Sequence, residues 1–156
     1  MIVLTRVDHR LLHGQVAMSW TSILNADCIL IANDELVSNE LKKTTMKLAK
    51  PNNVKLVIKS IEDSIKAINS GVTDKYKLFI VVESIKDAKR LVEQIPAIKQ
   101  INLGGTKAKD GTRAISKAIN VLPEEEGMIK DMIKNGIEVE IRQLPTDKKM
   151  LAKKVL

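Results

Sequence analysis

Val54-Lys-Leu-Val-Ile58, Ser60-Ile-Glu-Asp-Ser-Ile-Lys-Ala-Ile-Asn-Ser-Gly71 and Leu78-Phe-Ile-Val-Val82 follow one another along the chain. The first and third runs are short, apolar and rich in β-branched residues, the composition of strands. The middle run sets Ile61, Ile65 and Ile68 at helical spacing. Ser60 stands ahead of it as an N-cap with Asp63 at the capping-box position, and Gly71 follows where a left-handed C′ residue belongs. Two strands joined by a helix make a crossover, so they lie parallel in one sheet.

The alternation continues outward in both directions. Ile2–Leu4, Cys28–Ala32, Gln100–Leu103, Lys117–Leu122 and Ile137–Arg142 bring the candidate strands to seven. Ser84 and Asp87 repeat the capping pattern ahead of Ile85, Ala88, Leu91 and Val92. Asn39–Lys50 reads as another helix, stopped by Pro51-Asn52-Asn53. Pro123 with Glu124, Glu125 and Glu126 suits a helix's first turn, and Gly136 its end. No segment has linker composition, no repeat is visible, and the longest irregular stretch runs from Gly104 to about Arg113. The prediction is a single α/β domain over residues 1–156, doubly wound and mainly parallel. Ligands of such sheets bind beyond the carboxyl ends of the strands, which directs attention to the loops after Leu4, Ala32, Val82 and Leu103.

Composition narrows the class. The chain is 44% hydrophobic and 29% charged, an ordinary globular balance. Trp20, Tyr76 and Phe79 are its only aromatic residues, so the core must be aliphatic. Cys28, the single cysteine, cannot form an intramolecular disulfide; within Cys28-Ile-Leu-Ile31 it reads as a small buried hydrophobe, in keeping with a reducing compartment. The N-terminus has no leader pattern and no run is long enough to span a bilayer, so a cytoplasmic location is expected. The 26 Lys and Arg against 19 Asp and Glu leave a net charge of +7. That favours acidic partners, phosphorylated ligands or membrane surfaces, although solvated helix faces and the tail lysines Lys148, Lys149, Lys153 and Lys154 explain most of it. A basic nucleic-acid-binding domain is the alternative the charge suggests, but three scattered aromatic residues supply no stacking platform. A non-catalytic interaction domain is a further alternative, and it would tolerate loss of His13.

The polar cluster after the first strand decides among these classes. Arg6-Val-Asp-His-Arg-Leu-Leu-His13 gathers two arginines, one aspartate and both histidines of the chain into eight residues, ahead of Gly14-Gln15-Val16. Val16, Trp20, Ile23 and Leu24 form an apolar stripe, so a helix begins near Gly14 or Gln15 and His13 sits beside its unpaired N–H groups, a ready anion site. His9 and His13 are four apart, as in a helical metal motif. Arg10 stands where that motif requires an acid, and no third ligand is in view, so no metal is expected. A solvated loop with a satisfied histidine would leave unexplained why Arg6, Asp8, Arg10 and His13 meet where this architecture puts ligands.

Phosphoryl chemistry gives each residue a role. Imidazole is nucleophilic near neutral pH, Arg10 offers a planar fork of donors for phosphate oxygens, and the N–H groups at Gly14 and Gln15 can stabilise transferred charge. Asp8 can accept a hydrogen bond from the imidazole nitrogen that does not attack. Arg6 is either a further phosphate contact or a residue packed against the sheet. Ser84 and Asn33 are candidates for the same pocket, Ser84 also as a helix cap. Gly104 and Gly105 read as a tight turn with positive φ and as a backbone wall near His13.

At these residues the sequence resembles the IIB component of the mannose/fructose/sorbose family of the bacterial phosphoenolpyruvate-dependent sugar phosphotransferase system. Arg6-Val-Asp-His-Arg-Leu-Leu-His-Gly-Gln-Val16 is similar to that family's active-site signature, and Trp20 falls where its members usually carry tryptophan. Ile101-Asn-Leu-Gly-Gly105 and Ile141-Arg-Gln-Leu-Pro145 agree in register with two later family segments, so the similarity covers essentially the whole chain. His9 and Thr106 depart from the family's usual residues.

The resemblance implies a parallel-rich seven-stranded sheet with helices on both faces. It implies that a IIA protein phosphorylates His13, and that His13 passes the phosphoryl group to a sugar during uptake through membrane IIC and IID subunits. By the same likeness Arg10 is the phosphate-stabilising arginine, Asp8 its neighbouring carboxylate and Nδ1 the phosphorylated nitrogen. The expected protein is a stand-alone IIB, cytoplasmic and peripheral to the inner face of the membrane when bound to IIC and IID, without a cofactor and without a nucleic-acid partner.

Overall fold

Cys28-Ile-Leu-Ile-Ala32 and Leu78-Phe-Ile-Val-Val82 are apolar at every position and buried at every position, the mark of strands covered on both faces. They form β2 (Cys28–Ala32) and β4 (Leu78–Val82) of the computed structural model, which describes residues 1–156. The other elements are β1 (Ile2–Asp8), α1 (Gly14–Leu24), α2 (Glu40–Ala49), β3 (Lys55–Lys59), α3 (Ile61–Asn69), α4 (Ile85–Gln94), β5 (Gln100–Gly105), β6 (Arg113–Ala114), β7 (Asn120–Val121), α5 (Pro123–Lys134), β8 (Glu138–Ile141) and β9 (Met150–Leu151).

The main sheet has seven strands in the order β3-β2-β4-β1-β5-β8-β9. All neighbours are parallel except the last pair. Strand periodicity divides the core in two, because successive side chains point to opposite faces. Val7, Leu30, Ile80, Val82, Ile101 and Val139 lie under α3, α4 and α5; Leu4, Ile29, Ile31, Phe79 and Val81 lie under α1 and α2. Ser60 and Ser84 cap α3 and α4 as their sequences predict, accepting from the backbone N–H of Asp63 at 3.0 Å and of Asp87 at 3.1 Å. Gly71 and Gly136 take the expected positive φ, at 85° and 88°.

Three expectations change. Lys117–Leu122 does not enter the main sheet: only Asn120–Val121 is extended, paired antiparallel with Arg113–Ala114 in a separate hairpin. Ile119 and Val121 are fully buried against the α5 side of the core, so this segment satisfies its apolar residues without a place in the sheet. The seventh strand is instead β9, two residues antiparallel to β8 and too short to show a period. The first strand does not end at Leu4 but runs on to Asp8, so Arg6 and Asp8 belong to a central strand. Gly104 and Gly105 form no turn. They continue β5, and neither has positive φ.

The connections create a crevice. From β1 the chain passes through α1 to β2 on one side, and from β4 it crosses β1 through α4 to β5 on the other. Neighbouring strands whose connections diverge leave an opening beyond their carboxyl ends, here above Asp8 and Val82.

Candidate functional site

Asp8 closes β1 with its carboxylate fully buried. Such a burial is unfavourable unless every lone pair finds a donor. Oδ1 accepts from the backbone N–H of Arg10 at 3.0 Å and lies 3.4 Å from Arg10 Nε; Oδ2 accepts from Arg6 Nη2 at 3.1 Å and lies 3.0 Å from His13 Nε2. Burial pushes the Asp8 carboxyl up, but the Arg10 N–H, His13 and Arg6 together outweigh it and hold the group below its ordinary value. It is therefore an anion at neutral pH.

The loop that brings His13 to this carboxylate is anchored by its own apolar residues. Leu11 and Leu12 are buried in the core beneath α1, and the Leu11 N–H donates to the Asp8 carbonyl at 2.9 Å. The turn places Leu11 at φ 59° and Gly14 at φ 42°, the left-handed region in which glycine is unstrained. His13 then stands at the N-cap of α1, with extended φ −153° and ψ 133°, and its side chain makes no cap hydrogen bond. The helices α2, α3, α4 and α5 each carry an acidic residue in the first turn, whereas α1 carries none, so its positive end is left to an outside anion.

Since an ionised carboxylate only accepts, His13 Nε2 must be the protonated nitrogen. In the neutral ring Nδ1 then holds the free lone pair, and no protein group bonds to it. The ring is partly exposed, its side chain 24% accessible. Arg10 reaches the other oxygen of the same carboxylate, its side chain 42% accessible and with no charged partner other than Asp8. The arrangement presents an oriented imidazole nitrogen, a partly exposed cation and an uncapped helix terminus, the parts a phosphoryl group requires.

Arg6 points elsewhere. Its guanidinium donates to Asp8, to Asn102 Oδ1 at 2.7 Å and to the Arg142 carbonyl at 3.2 Å, and its Cζ lies 5.3 Å from the centre of the Trp20 ring. Burial pushes this guanidinium down, and the ion pair with Asp8 opposes that. Asn102, Trp20 and Arg142 complete the support. Arg142 Cζ lies 5.0 Å from the Trp20 ring, Trp20 Nε1 donates to the Gln143 carbonyl at 2.9 Å, and the Arg142 Nε lies 3.0 Å from Oε2 of the fully buried Glu140. The signal that points to Asn102 and Glu140 in the sequence is a polar residue inside a strand whose neighbours are apolar, in a sheet covered on both faces.

Gly104 acquires a specific reason from the same arrangement. A Cβ there would overlap the Arg6 guanidinium. Gly104→Ala is expected to destabilise the fold by about 1–3 kcal/mol, the usual range for overpacking, and to slow any chemistry that depends on Asp8. Urea unfolding of the variant checks the first, and unchanged stability would mean that Arg6 has room to move. Gly105 does stand near the site: its carbonyl accepts from the His9 N–H at 3.0 Å.

Neither Ser84 nor Asn33 is hydrogen-bonded to His13. Ser84 lines a polar cleft of about 360 Å³ with His9, Glu83, Thr106 and Asn120, and Asn33 donates to Glu83 Oε2 at 3.1 Å. His9 is turned towards the other oxygen of the shared carboxylate, its Nδ1 4.0 Å from Asp8 Oδ1. No helix is long and apolar enough to cross a membrane.

Comparison with known proteins gives the family. Residues 2–156 match the family model of the sorbose subfamily IIB component of the phosphotransferase system. A probable phosphotransferase enzyme IIB component of Streptococcus pyogenes is 38% identical over 138 residues, covering 85% of each chain. The mannose-specific EIIAB component of Escherichia coli is 30% identical across 96% of this chain, which spans 46% of that longer protein. Among solved structures, the IIB domain of the Klebsiella pneumoniae sorbose permease superposes with a TM-score of 0.91 at 27% identity, over 96% of this chain and 92% of that one. The chain belongs to the sorbose subfamily of phosphotransferase-system IIB components, and is a phosphotransferase of sugar uptake.

Proposed function

We propose that residues 1–156 act as one IIB unit that carries a phosphoryl group on Nδ1 of His13. The observation that carries this reading is the 3.0 Å contact between His13 Nε2 and Asp8, which assigns the proton to one nitrogen and the lone pair to the other. A IIA protein, itself phosphorylated, is the donor. The Nδ1 lone pair attacks phosphorus, the donor's bond to phosphorus breaks, and its electrons return to the donor. The His13 ring becomes positively charged as the new bond forms, and Asp8 faces that charge. In the second half the sugar hydroxyl oxygen attacks, the bond electrons return to Nδ1, and the hydroxyl proton passes to water. This step takes place with the membrane IIC and IID subunits, at the inner face of the membrane.

Arg10 and the Gly14 and Gln15 N–H groups hold the phosphate oxygens. Arg6 acts as a positioning residue behind Asp8 and does not touch phosphate, as its burial supports. Incubation with phosphoenolpyruvate, the general phosphotransfer proteins and a IIA protein is expected to add one acid-labile phosphoryl group, and nitrogen and phosphorus NMR to locate it on Nδ1. Phosphate on Nε2 would overturn the assignment. Arg10→Ala is expected to remain phosphorylatable but to react about 100-fold more slowly, the scale of losing one transition-state donor. Wild-type transfer kinetics in that variant would remove Arg10 from the mechanism.

A further inference from the structure

At the carboxyl ends of β5 and β8 lies a second concavity of about 490 Å³, lined by Gly104 and Arg142, both of which contact Arg6. Its base is apolar: Met150 is partly exposed there, with Leu103, Ile119 and Ile141 buried beneath. Its rim is cationic: Lys117, Arg142, Lys148, Lys149 and Lys154 surround it, with Asp147 as the one carboxylate. Asp147 is engaged in holding the loop, accepting from the Leu144 N–H at 2.9 Å. Arg142 and Lys149 have carboxylate partners in Glu140 and Glu138, whereas Lys117, Lys148 and Lys154 pair with none. The volume is that of a small-molecule site, and an apolar floor beneath unpaired cations selects a ligand with an apolar body and an anionic group.

We infer that this cavity binds the phosphate of an anionic phospholipid headgroup, with the start of its glycerol and acyl chains on the apolar floor. The inference rests on the proposed delivery of phosphate to a membrane-bound acceptor, because that delivery requires the carboxyl end of the sheet to approach the bilayer. The cavity opens at that end. The Arg142 carbonyl accepts from Arg6, and Gly104 lines the cavity while leaving space for the same guanidinium, so a headgroup held there lies against the layer that supports Asp8. Free organic phosphates share the headgroup's chemistry but leave the floor uncovered. Single-stranded nucleic acid would need stacking partners, and no aromatic residue lines the cavity.

The test is co-sedimentation of the full chain with vesicles of phosphatidylglycerol and phosphatidylcholine, against phosphatidylcholine alone, at low ionic strength. The wild type is expected to bind only the anionic vesicles. Lys117→Glu, Lys148→Glu and Lys154→Glu combined are expected to weaken this by about tenfold or more, since each lysine near an anionic surface contributes appreciably. Lys47→Glu, Lys86→Glu and Lys130→Glu combined change net charge equally at exposed positions elsewhere and are expected to bind far better than the cavity variant. Equal loss in both variants would reduce the effect to net charge and overturn the site. Binding of glycerol 3-phosphate at the cavity, seen by chemical-shift change without any vesicle binding, would reassign it to soluble phosphates and overturn the lipid. Phosphorylation by a IIA protein in solution separates the two proposals. The cavity variant is expected to keep the wild-type rate, and a protein that binds vesicles but never accepts phosphate would refute the carrier and not the cavity.

Discussion

His13→Ala is expected to gain no mass when incubated with phosphoenolpyruvate, the general phosphotransfer proteins and a IIA protein, under conditions in which the wild type gains one phosphoryl group. The effect is complete because the reaction needs a lone pair at that position and no other side chain supplies one. His9 is close in sequence, but its ring lies on the Oδ1 side of Asp8, at 4.0 Å, while His13 occupies the Oδ2 side beside the start of α1. The substitution removes a partly exposed ring from an N-cap where it makes no cap bond, so the fold should lose little stability. It does remove one of the partners of Asp8, and the Arg10 and Arg6 donors remain to hold that carboxylate. Unfolding midpoints near the wild-type value together with absent phosphorylation would place the loss in the chemistry. A labile phosphoryl group on the variant would end the assignment.

Asp8→Asn is expected to do the most damage to the protein as a whole. Asn keeps the shape but not the charge, and it leaves Arg6 buried without its counterion. Breaking a buried pair in this way costs about 3–5 kcal/mol. The tautomer argument fails as well, because Asn can donate to Nε2 and leave the proton on Nδ1. Phosphorylation of the folded fraction should fall on the order of a hundredfold. The pH dependence gives an independent check. Asp8 has a folded pKa held below 3.8, so the stability it confers is fully present above its unfolded pKa and is lost as pH falls through the depressed folded value. The difference in unfolding free energy between wild type and Asp8→Asn is therefore expected to be constant near neutral pH and to shrink as pH falls below 3.8. A difference that stays constant into strong acid would mean that Asp8 does not bear its charge in the folded protein.

The sequence by itself determined the α/β class, because strand runs such as Leu78–Val82 and capped helices such as Ser60–Gly71 are local patterns whose periods survive without a partner. It also determined the chemistry on offer. Arg6, Asp8, Arg10, His13 and Gly14 are neighbours along the chain, so their proximity needs no fold to arrange it. Only the tertiary structure decided how they divide the work. Whether Arg6 faces outward or inward depends on where β1 ends, and β1 reaches Asp8 only because β4 and β5 flank it on both sides and Asn102, from β5, meets the buried guanidinium. The role of Gly104 is invisible in sequence for the same reason: the atom that forbids a side chain there belongs to a residue nearly a hundred positions away. The seventh strand, two residues long, and the exclusion of Lys117–Leu122 from the sheet were likewise settled by which apolar side chains the packed core could cover. Periodicity records that a segment must be buried, but which surface buries it is a property of the assembled layers.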